Sequence, residues 1–142
     1  MKITPDEKGR ITVGLTADGD AALKRLMETG WFQVEMDAYK VAISVALARG
    51  IDVRGPLTGV TTKFNVGGLD RDGKLARAIR MLGSEKTVSI FDYAERLADA
   101  GIRVLATKLI DQEETLSQVL GLDASLGPPA EPAPSKSTEL PT

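Results

Sequence analysis

Histidine and cysteine are both absent from this 142-residue sequence, and aromatic residues are scarce, with one tryptophan, two tyrosines and three phenylalanines. Without histidine and cysteine the chain has no thiolate nucleophile, no disulfide, no imidazole base near neutral pH and none of the commonest zinc ligands. Any chemistry would have to rest on carboxylates, lysine, tyrosine or serine. The composition therefore predicts a protein that is not an enzyme and that has no cofactor and no metal site.

Carboxylate pairs do not restore a catalytic centre. The closest pairs are Asp18 with Asp20, at a predicted helix start, and Asp70 with Asp72, in a glycine-rich turn. Carboxylates in such places usually cap helices. The turn also resembles a phosphate loop, but Leu75 stands where that loop needs serine or threonine to hold magnesium. We therefore predict a turn followed by a helix that Asp70 or Asp72 caps.

Long apolar runs are missing as well. The chain has no stretch of about 18 apolar residues and no basic-then-apolar leader, so it predicts neither a membrane span nor secretion. We expect a cytoplasmic protein. Hydrophobic residues make up 42% of the chain, which is enough for one modest core. We predict a flexible N-terminus over 1–9, a single domain over 10–120 and a disordered tail over 121–142 that is rich in proline, alanine and serine.

Charge is distributed unevenly along the chain, although the net charge is only −2. Residues 1–48 contain six lysine or arginine residues and seven carboxylates. Residues 49–86 contain eight lysine or arginine residues and four carboxylates, and residues 87–142 contain four lysine or arginine residues and nine carboxylates. The middle segment is therefore basic and the C-terminal segment acidic. A locally basic segment in an acidic protein is typical of a surface for nucleic acid or an acidic partner. The same pattern also fits two segments that neutralise each other within the fold or between subunits.

The first part of the domain predicts a strand followed by two helices. Apolar residues alternate with polar or small ones over 10–15, which is typical of a strand with one buried face. The next helix, capped by Thr16 or Asp18, ends at Gly30. The helix over 37–49 is apolar on nearly all faces, which predicts a central position and an oligomer interface. The predicted interface residues are Tyr39, Val41, Ile43, Val45 and Leu47.

Further helices are predicted in the second half of the domain. One spans 75–82, and another begins at a capping-box-like Ser89 and ends at Gly101. The segment 102–110 fits either a helix or a strand, and we favour the helix. Trp31, between the first two helices, is expected to pack in the core. The predicted fold class is mainly α, a compact helical domain of four to five helices with a short N-terminal β-strand.

The order of strand, helix and helix is that of ribbon-helix-helix DNA-binding proteins. In such proteins the N-terminal strands of two chains pair and enter the major groove. Arg10 and Thr12 would then be the possible base readers on the solvent side of the strand, beside Gly14. Thr12 and Gly14 offer little base discrimination. A sequence-specific repressor is therefore an alternative and not the main prediction.

The cations after the second helix form the main predicted DNA-contacting surface. Around the helix over 75–82 a lysine or arginine recurs every third residue, so neighbouring pairs share a face while the set drifts around the axis. Such side chains bind phosphates without base-specific geometry. A solvated helix face is the competing interpretation. The predicted nucleic-acid-binding residues are Lys63, Arg71, Lys74, Arg77 and Arg80.

Several features also occur in a characteristic order. They are a helix ending in Thr29-Gly30, the apolar helix Asp37 to Arg49, the loop Lys63-Phe64-Asn65, the helix Leu75 to Leu82, and the segment Ala98 to Leu109 with Ala100-Gly101-Ile102. Over residues 8–110 this order and spacing resemble the DndE family of bacterial DNA phosphorothioation systems, which modify DNA with sulfur. The resemblance implies a small, mostly helical protein that forms tetramers and binds DNA without a catalytic centre. It also implies a place in antiviral defence or another DNA-processing system.

The predicted function is thus that of a non-catalytic, oligomeric DNA-binding accessory protein of a bacterial DNA-modification or defence system, either a dimer or a tetramer. One alternative is an assembly scaffold or adaptor, whose basic and acidic segments dock a larger ATPase or nuclease subunit. The other is a dimeric transcriptional repressor of the ribbon-helix-helix type.

Overall fold

The computed structural model describes residues 12–53, 55–83 and 89–121, which are mainly helical. The predicted mainly helical class is confirmed, but these residues form six α-helices and two paired strands, where four to five helices and one strand are predicted. The predicted flexible segment 1–9, Arg10 and the predicted tail beyond Gly121 lie outside the described residues. No helix within the described ranges has both the length and the hydropathy that a bilayer crossing requires. The elements in chain order are β1 Thr12–Leu15, α1 Ala17–Glu28, α2 Glu35–Arg49, β2 Thr61–Asn65, α3 Val66–Leu69, α4 Lys74–Leu82, α5 Ile90–Ala106, a π-helical turn Thr107–Asp111 and α6 Leu116–Leu120.

The centre of the fold is the packing of α5 against α2. Buried alanines line both helices, and Gly101 of α5 lies so close to α2 that a Cβ on it would stand 2.0 Å from the carbonyl oxygen of Ala42. The prediction that Gly101 ends the helix is wrong, because this glycine permits close helix packing and α5 continues to Ala106. The helical interpretation of 102–110 is confirmed, with π-helical geometry from Thr107 onwards.

The two strands pair antiparallel, with a bulge between Val13 and Gly14. The backbone N–H of Gly14 donates to Oε2 of Glu95 in α5 at 2.8 Å, and its carbonyl accepts the hydroxyl of Tyr39 in α2 at 2.9 Å. A side chain has no room here, since a Cβ on Gly14 would lie 1.9 Å from the carbonyl oxygen of Thr61. These bonds join β1 to both central helices as well as to β2.

As a result β1 does not have the geometry of a ribbon-helix-helix reader. It pairs with β2 of the same chain, and both polar backbone atoms of Gly14 are bonded to side chains of this chain. Val13, Gly14 and Leu15 are all buried, so the prediction that Gly14 faces solvent is wrong. Of the two possible base readers, Thr12 is half-buried and Arg10 lies outside the described residues.

The apolar surface of α2 is covered mainly by other elements of the same chain. Tyr39 and Ile43 are fully buried, and Val45 is 3% exposed. These three predicted interface residues belong to the core, because α5 and β1 pack on them, and they are not available to a second chain. Val41 and Leu47, the other two, are half-buried. The apolar surface of α2, for which the sequence indicated no intramolecular partner, is therefore mostly buried within its own domain.

The turn between α1 and α2 places its two aromatic residues on opposite sides. Gly30 adopts φ 81, a left-handed conformation that glycine accepts without strain. The chain then leads Phe32 into the core, while Trp31 is 43% exposed. The prediction that Trp31 packs in the core is therefore wrong, since Phe32 is the aromatic residue that this turn buries.

Candidate nucleic-acid interface

The helix α4 begins with two capping carboxylates. The carboxylate of Asp70 accepts hydrogen bonds from the backbone N–H groups of Leu75 at 2.9 Å and Ala76 at 3.0 Å, and Asp72 accepts from that of Lys74 at 3.1 Å. The last bond is the main reason why the pKa of Asp72 lies below its ordinary value. The predicted caps are confirmed. Because these carboxylates occupy N-terminal donors of the helix, a phosphate near α4 has to be held by side chains.

The helix turns one face to the core and a cationic face outward. Ala76 and Ile79 are buried against the domain. With about 100° between successive residues, Lys74, Arg77 and Met81 fall on the opposite side. All three are exposed, and Met81 is 73% exposed. The local sequence therefore determines which α4 side chains are offered to a ligand.

Three further cations extend this face. Arg71 is exposed in the turn before α4, and Arg80 is exposed on α4 itself. Lys40 of α2 is also exposed, and its charge makes a minor contribution to the lowered pKa of Asp72. Sequence patterns did not find Lys40, because it is distant from α4 along the chain. We call the set the cationic surface: Lys40, Arg71, Lys74, Arg77 and Arg80.

Ion pairing leaves most of this surface available to an anion. Arg71 and Arg77 form no ion pair with any residue that the structure describes. The nearest carboxylate to Lys74 is Asp72, with its Oδ2 3.8 Å from the lysine Nζ and both side chains mostly exposed. Exposed pairs of this kind contribute little to stability, because water and salt screen them. A phosphate can therefore replace Asp72 as the partner of Lys74 at little cost.

Lys63 does not belong to the cationic surface. Its Nζ lies 2.9 Å from Oδ1 of Asp20 and 3.3 Å from Oε1 of Glu35, and its side chain is only 18% exposed. Lys24 also contacts Asp20, at 2.9 Å. The prediction that Lys63 contacts phosphate is not supported by this geometry. Its charge is instead used inside the domain, where it ties β2 to α1 and α2.

This cluster should give the stability of the domain a defined pH dependence. The hydrogen bond from Lys24 and then the ion pair with Lys63 lower the pKa of Asp20 from its ordinary 3.8, and the ion pair with Asp20 raises the pKa of Lys63 from 10.5 against the opposing effect of burial. A lowered carboxyl pKa contributes stability that is lost as the pH falls through it. A raised lysine pKa contributes stability that is lost as the pH rises through it.

The Lys63→Met variant tests this dependence. We expect it to lower the free energy of unfolding by about 1 kcal/mol between about pH 5 and 9, where both groups are charged. The difference from the unsubstituted protein should shrink below pH 3.8, as Asp20 becomes protonated. Urea unfolding followed by circular dichroism at a series of pH values measures this difference in the free energy of unfolding. A difference that is constant down to the acid transition would contradict the assignment.

Two buried carboxylates that sequence patterns did not single out lie on α5, and both are structural. Glu95 accepts the Gly14 N–H, and Oδ1 of Asp99 accepts the backbone N–H of Thr16 at 3.0 Å and its hydroxyl at 2.8 Å. The guanidinium of Arg103 lies 2.8 Å from Oδ2 of Asp99, off the direction of a hydrogen bond, so this contact is an ion pair. Both carboxylates thus hold β1 and the start of α1 onto α5.

Within the described ranges, no three carboxylates come close enough together to hold a metal ion. Comparisons of this chain with protein-family models, curated proteins and solved structures return no match. The resemblance to the DndE family therefore stays a prediction from order and spacing. The function has to be argued from the geometry of the cationic surface itself.

Proposed function

We propose that this protein is a non-catalytic DNA-binding accessory protein that contacts the phosphate backbone of duplex DNA through the cationic surface. The observation that carries the proposal is the outward face of α4, where Lys74 and Arg77 are exposed on a capped helix that packs on the core. Neutralising phosphates with such side chains releases counterions from DNA, which favours binding. The setting we propose is the one that the resemblance implies, a bacterial DNA-modification or defence system.

Contact with phosphates suits this surface better than contact with base edges. Neighbouring cations on α4 differ by about 60° around the helix axis, so they spread over a broad surface instead of converging on one base pair. The N-terminal donors of α4 are occupied by Asp70 and Asp72, and most of β1 is buried. We therefore expect binding that is nearly independent of DNA sequence and strongly dependent on salt.

The charge reversal of Lys74 and Arg77 to glutamate tests the proposed surface. We expect the double variant to bind duplex DNA more than about tenfold more weakly at low salt, because two attractive interactions with phosphates become repulsive. The slope of log affinity against log salt should also fall by about 0.9 for each phosphate that is no longer neutralised, or about 1.8 for the two together. Fluorescence anisotropy of a labelled duplex at several salt concentrations measures both quantities.

A second double variant with the same change in net charge provides the control. Arg49→Glu with Lys108→Glu places two reversals in one cleft at the C-terminal end of α2, and no residue of α4 lines that cleft. Its DNA affinity and salt slope should stay near those of the unsubstituted protein, because exposed charges beyond about 10 Å are largely screened. Equal reductions in affinity in the two double variants would reject the proposed surface. Failure of the unsubstituted protein to bind duplex DNA at low salt would reject the function.

A further inference from the structure

Three adjacent clefts lie around the side chains of Arg49 and Arg103. The middle cleft, of about 450 Å³, shares Arg103 with a cleft of about 400 Å³ at the start of α1. It shares Arg49 with a smaller cleft of about 200 Å³ beside α6. Because neighbouring clefts have a wall residue in common, the three clefts are adjacent to one another. We call them together the arginine groove.

The floor of the arginine groove is largely apolar over two of its three clefts. Ile51 and Val104 line the middle cleft, and Ala48, Val119 and Leu120 line the cleft beside α6. Leu120 is 38% exposed, one of the large apolar side chains at the surface of the described part of the chain. A ligand that covers this floor gains the free energy of removing apolar surface from water.

Three cations stand around this floor: Arg49, Arg103 and Lys108. Arg49 forms no ion pair with any described residue, and its guanidinium donates only a long hydrogen bond of 3.4 Å to a backbone carbonyl of α6. Lys108 lies 3.6 Å from Glu114. Arg103 is held by buried Asp99 while its side chain is 51% exposed, so its position is fixed before a ligand arrives. All three line the middle cleft, which therefore favours anionic groups, whereas Asp18 and Asp99 line the cleft at the start of α1.

The backbone beside the middle cleft is irregular. Thr107 and Lys108 line the cleft from the π-helical turn that extends α5. Shortly after it, Glu113 adopts φ 54, in the left-handed region that residues other than glycine rarely occupy. Turns of π geometry are rare and often occur at functional sites, and strained residues also cluster there. The irregular backbone is an observation independent of the three cations, and it lies beside the cleft that those cations line.

The arginine groove is separate from the cationic surface. Lys40 and Arg49 lie toward opposite ends of α2, nine residues apart and therefore about 14 Å along the helix axis. The segment that leads into α4 lies near the start of α2, since a Cβ on Gly68 would stand 3.8 Å from Cε of Met36. Both surfaces can therefore be occupied at the same time, which is what an accessory protein needs in order to hold another protein on DNA.

We propose that the arginine groove binds an extended acidic segment of a partner protein that also carries apolar side chains. The three cations would pair with its carboxylates and the apolar floor would take its aliphatic or aromatic side chains. An extended peptide fits better than a compact small molecule because apolar side chains line two adjacent clefts, the middle cleft and the cleft beside α6. It also fits better than nucleic acid, since phosphates gain nothing from an apolar floor.

Selection from a phage-displayed library of random linear peptides against the whole chain tests this proposal. Enriched peptides should combine aspartate or glutamate with leucine, valine or phenylalanine. Synthetic, fluorescently labelled copies of them should bind the Arg49→Glu, Lys108→Glu double variant about tenfold or more weakly than the unsubstituted protein. The Ala48→Trp variant, which fills the cleft beside α6, should bind them more weakly as well. Arg103 is left unchanged because Asp99 depends on it.

The controls separate this groove from the DNA surface. The Lys74→Glu, Arg77→Glu double variant, with the same change in net charge, should bind the peptides as the unsubstituted protein does, and excess duplex DNA should not displace them. Replacing the acidic residues of a peptide with their amides, or its leucines with serine, should weaken binding. The proposal is overturned if no acidic and apolar peptides are enriched. It is also overturned if the enriched peptides bind both groove variants at full affinity, or if DNA displaces them.

Discussion

Replacing Gly101 with alanine is expected to lower the free energy of unfolding by about 2 kcal/mol or more. The added Cβ would stand 2.0 Å from the carbonyl oxygen of Ala42, a backbone atom that cannot rotate away. The two central helices would have to separate, at a cost of about 3 kcal/mol, while the better helix propensity of alanine returns about 1 kcal/mol. Urea unfolding followed by far-ultraviolet circular dichroism, which reports helix content, measures the change.

Gly67→Ala is the matched control for this prediction. Gly67 is also helical, in α3, but a Cβ there meets no atom within 4 Å. The substitution should leave stability unchanged or raise it by about 0.4–1 kcal/mol, because alanine restricts the unfolded chain. If Gly101→Ala were as stable as Gly67→Ala, the close approach of α2 and α5 would be wrong.

The Asp99→Ala variant should be destabilised by about 3 kcal/mol or more, and we expect it to be among the least stable single variants of this chain. Asp99 is 0% exposed, and its carboxylate accepts both the N–H and the hydroxyl of Thr16. Thr16 in turn accepts the N–H of Gly19 as the cap of α1. Alanine would leave buried donors unsatisfied and would release the start of α1 from α5. Thermal and urea unfolding measure the destabilisation.

The Asp99→Asn variant distinguishes hydrogen bonding from charge. Asparagine keeps an acceptor oxygen for Thr16 but removes the attraction to Arg103. The Asp99→Asn substitution should lower the free energy of unfolding by about 1–2 kcal/mol, clearly less than the substitution by alanine. Equal costs for the two variants would mean that the ion pair dominates. A small cost for alanine would mean that Asp99 does not organise the start of α1.

The helices could be located from sequence because their signals are local. Thr16 and Ser89 cap α1 and α5 through their own side chains, and Gly50 ends α2 in the left-handed conformation. Apolar spacing at three and four residues then identifies the buried faces, since a helix brings such positions together whatever surrounds it. The capping of α4 by Asp70 follows the same logic, because cap and helix are neighbours along the chain.

Most of the errors concern contacts between distant segments. Glycine often ends a helix, but the structural role of Gly101 depends on its contact with Ala42, which is far away in the sequence. Gly14 alternates as a solvent-facing residue would, yet Glu95 and Tyr39 cover it. The apolar helix α2 suggested a second chain because its intramolecular partner, α5, could not be placed from periodicity alone. In each case the packing partner determines whether the residue is buried and what it contacts, and no local sequence pattern identifies that partner.

The sequence alone determined the helical class, the caps, and the cationic repeat of Arg71, Lys74, Arg77 and Arg80, since side chains three residues apart on a helix are necessarily neighbours. Only the tertiary structure decided which other charges join them. It pairs Lys63 with Asp20 and Glu35 inside the domain and brings Lys40 toward Asp72. It also gathers Arg49, Arg103 and Lys108 around one groove. The reason is that the electrostatic role of a charge depends on its distance in space from other charges, which chain folding sets and residue spacing does not.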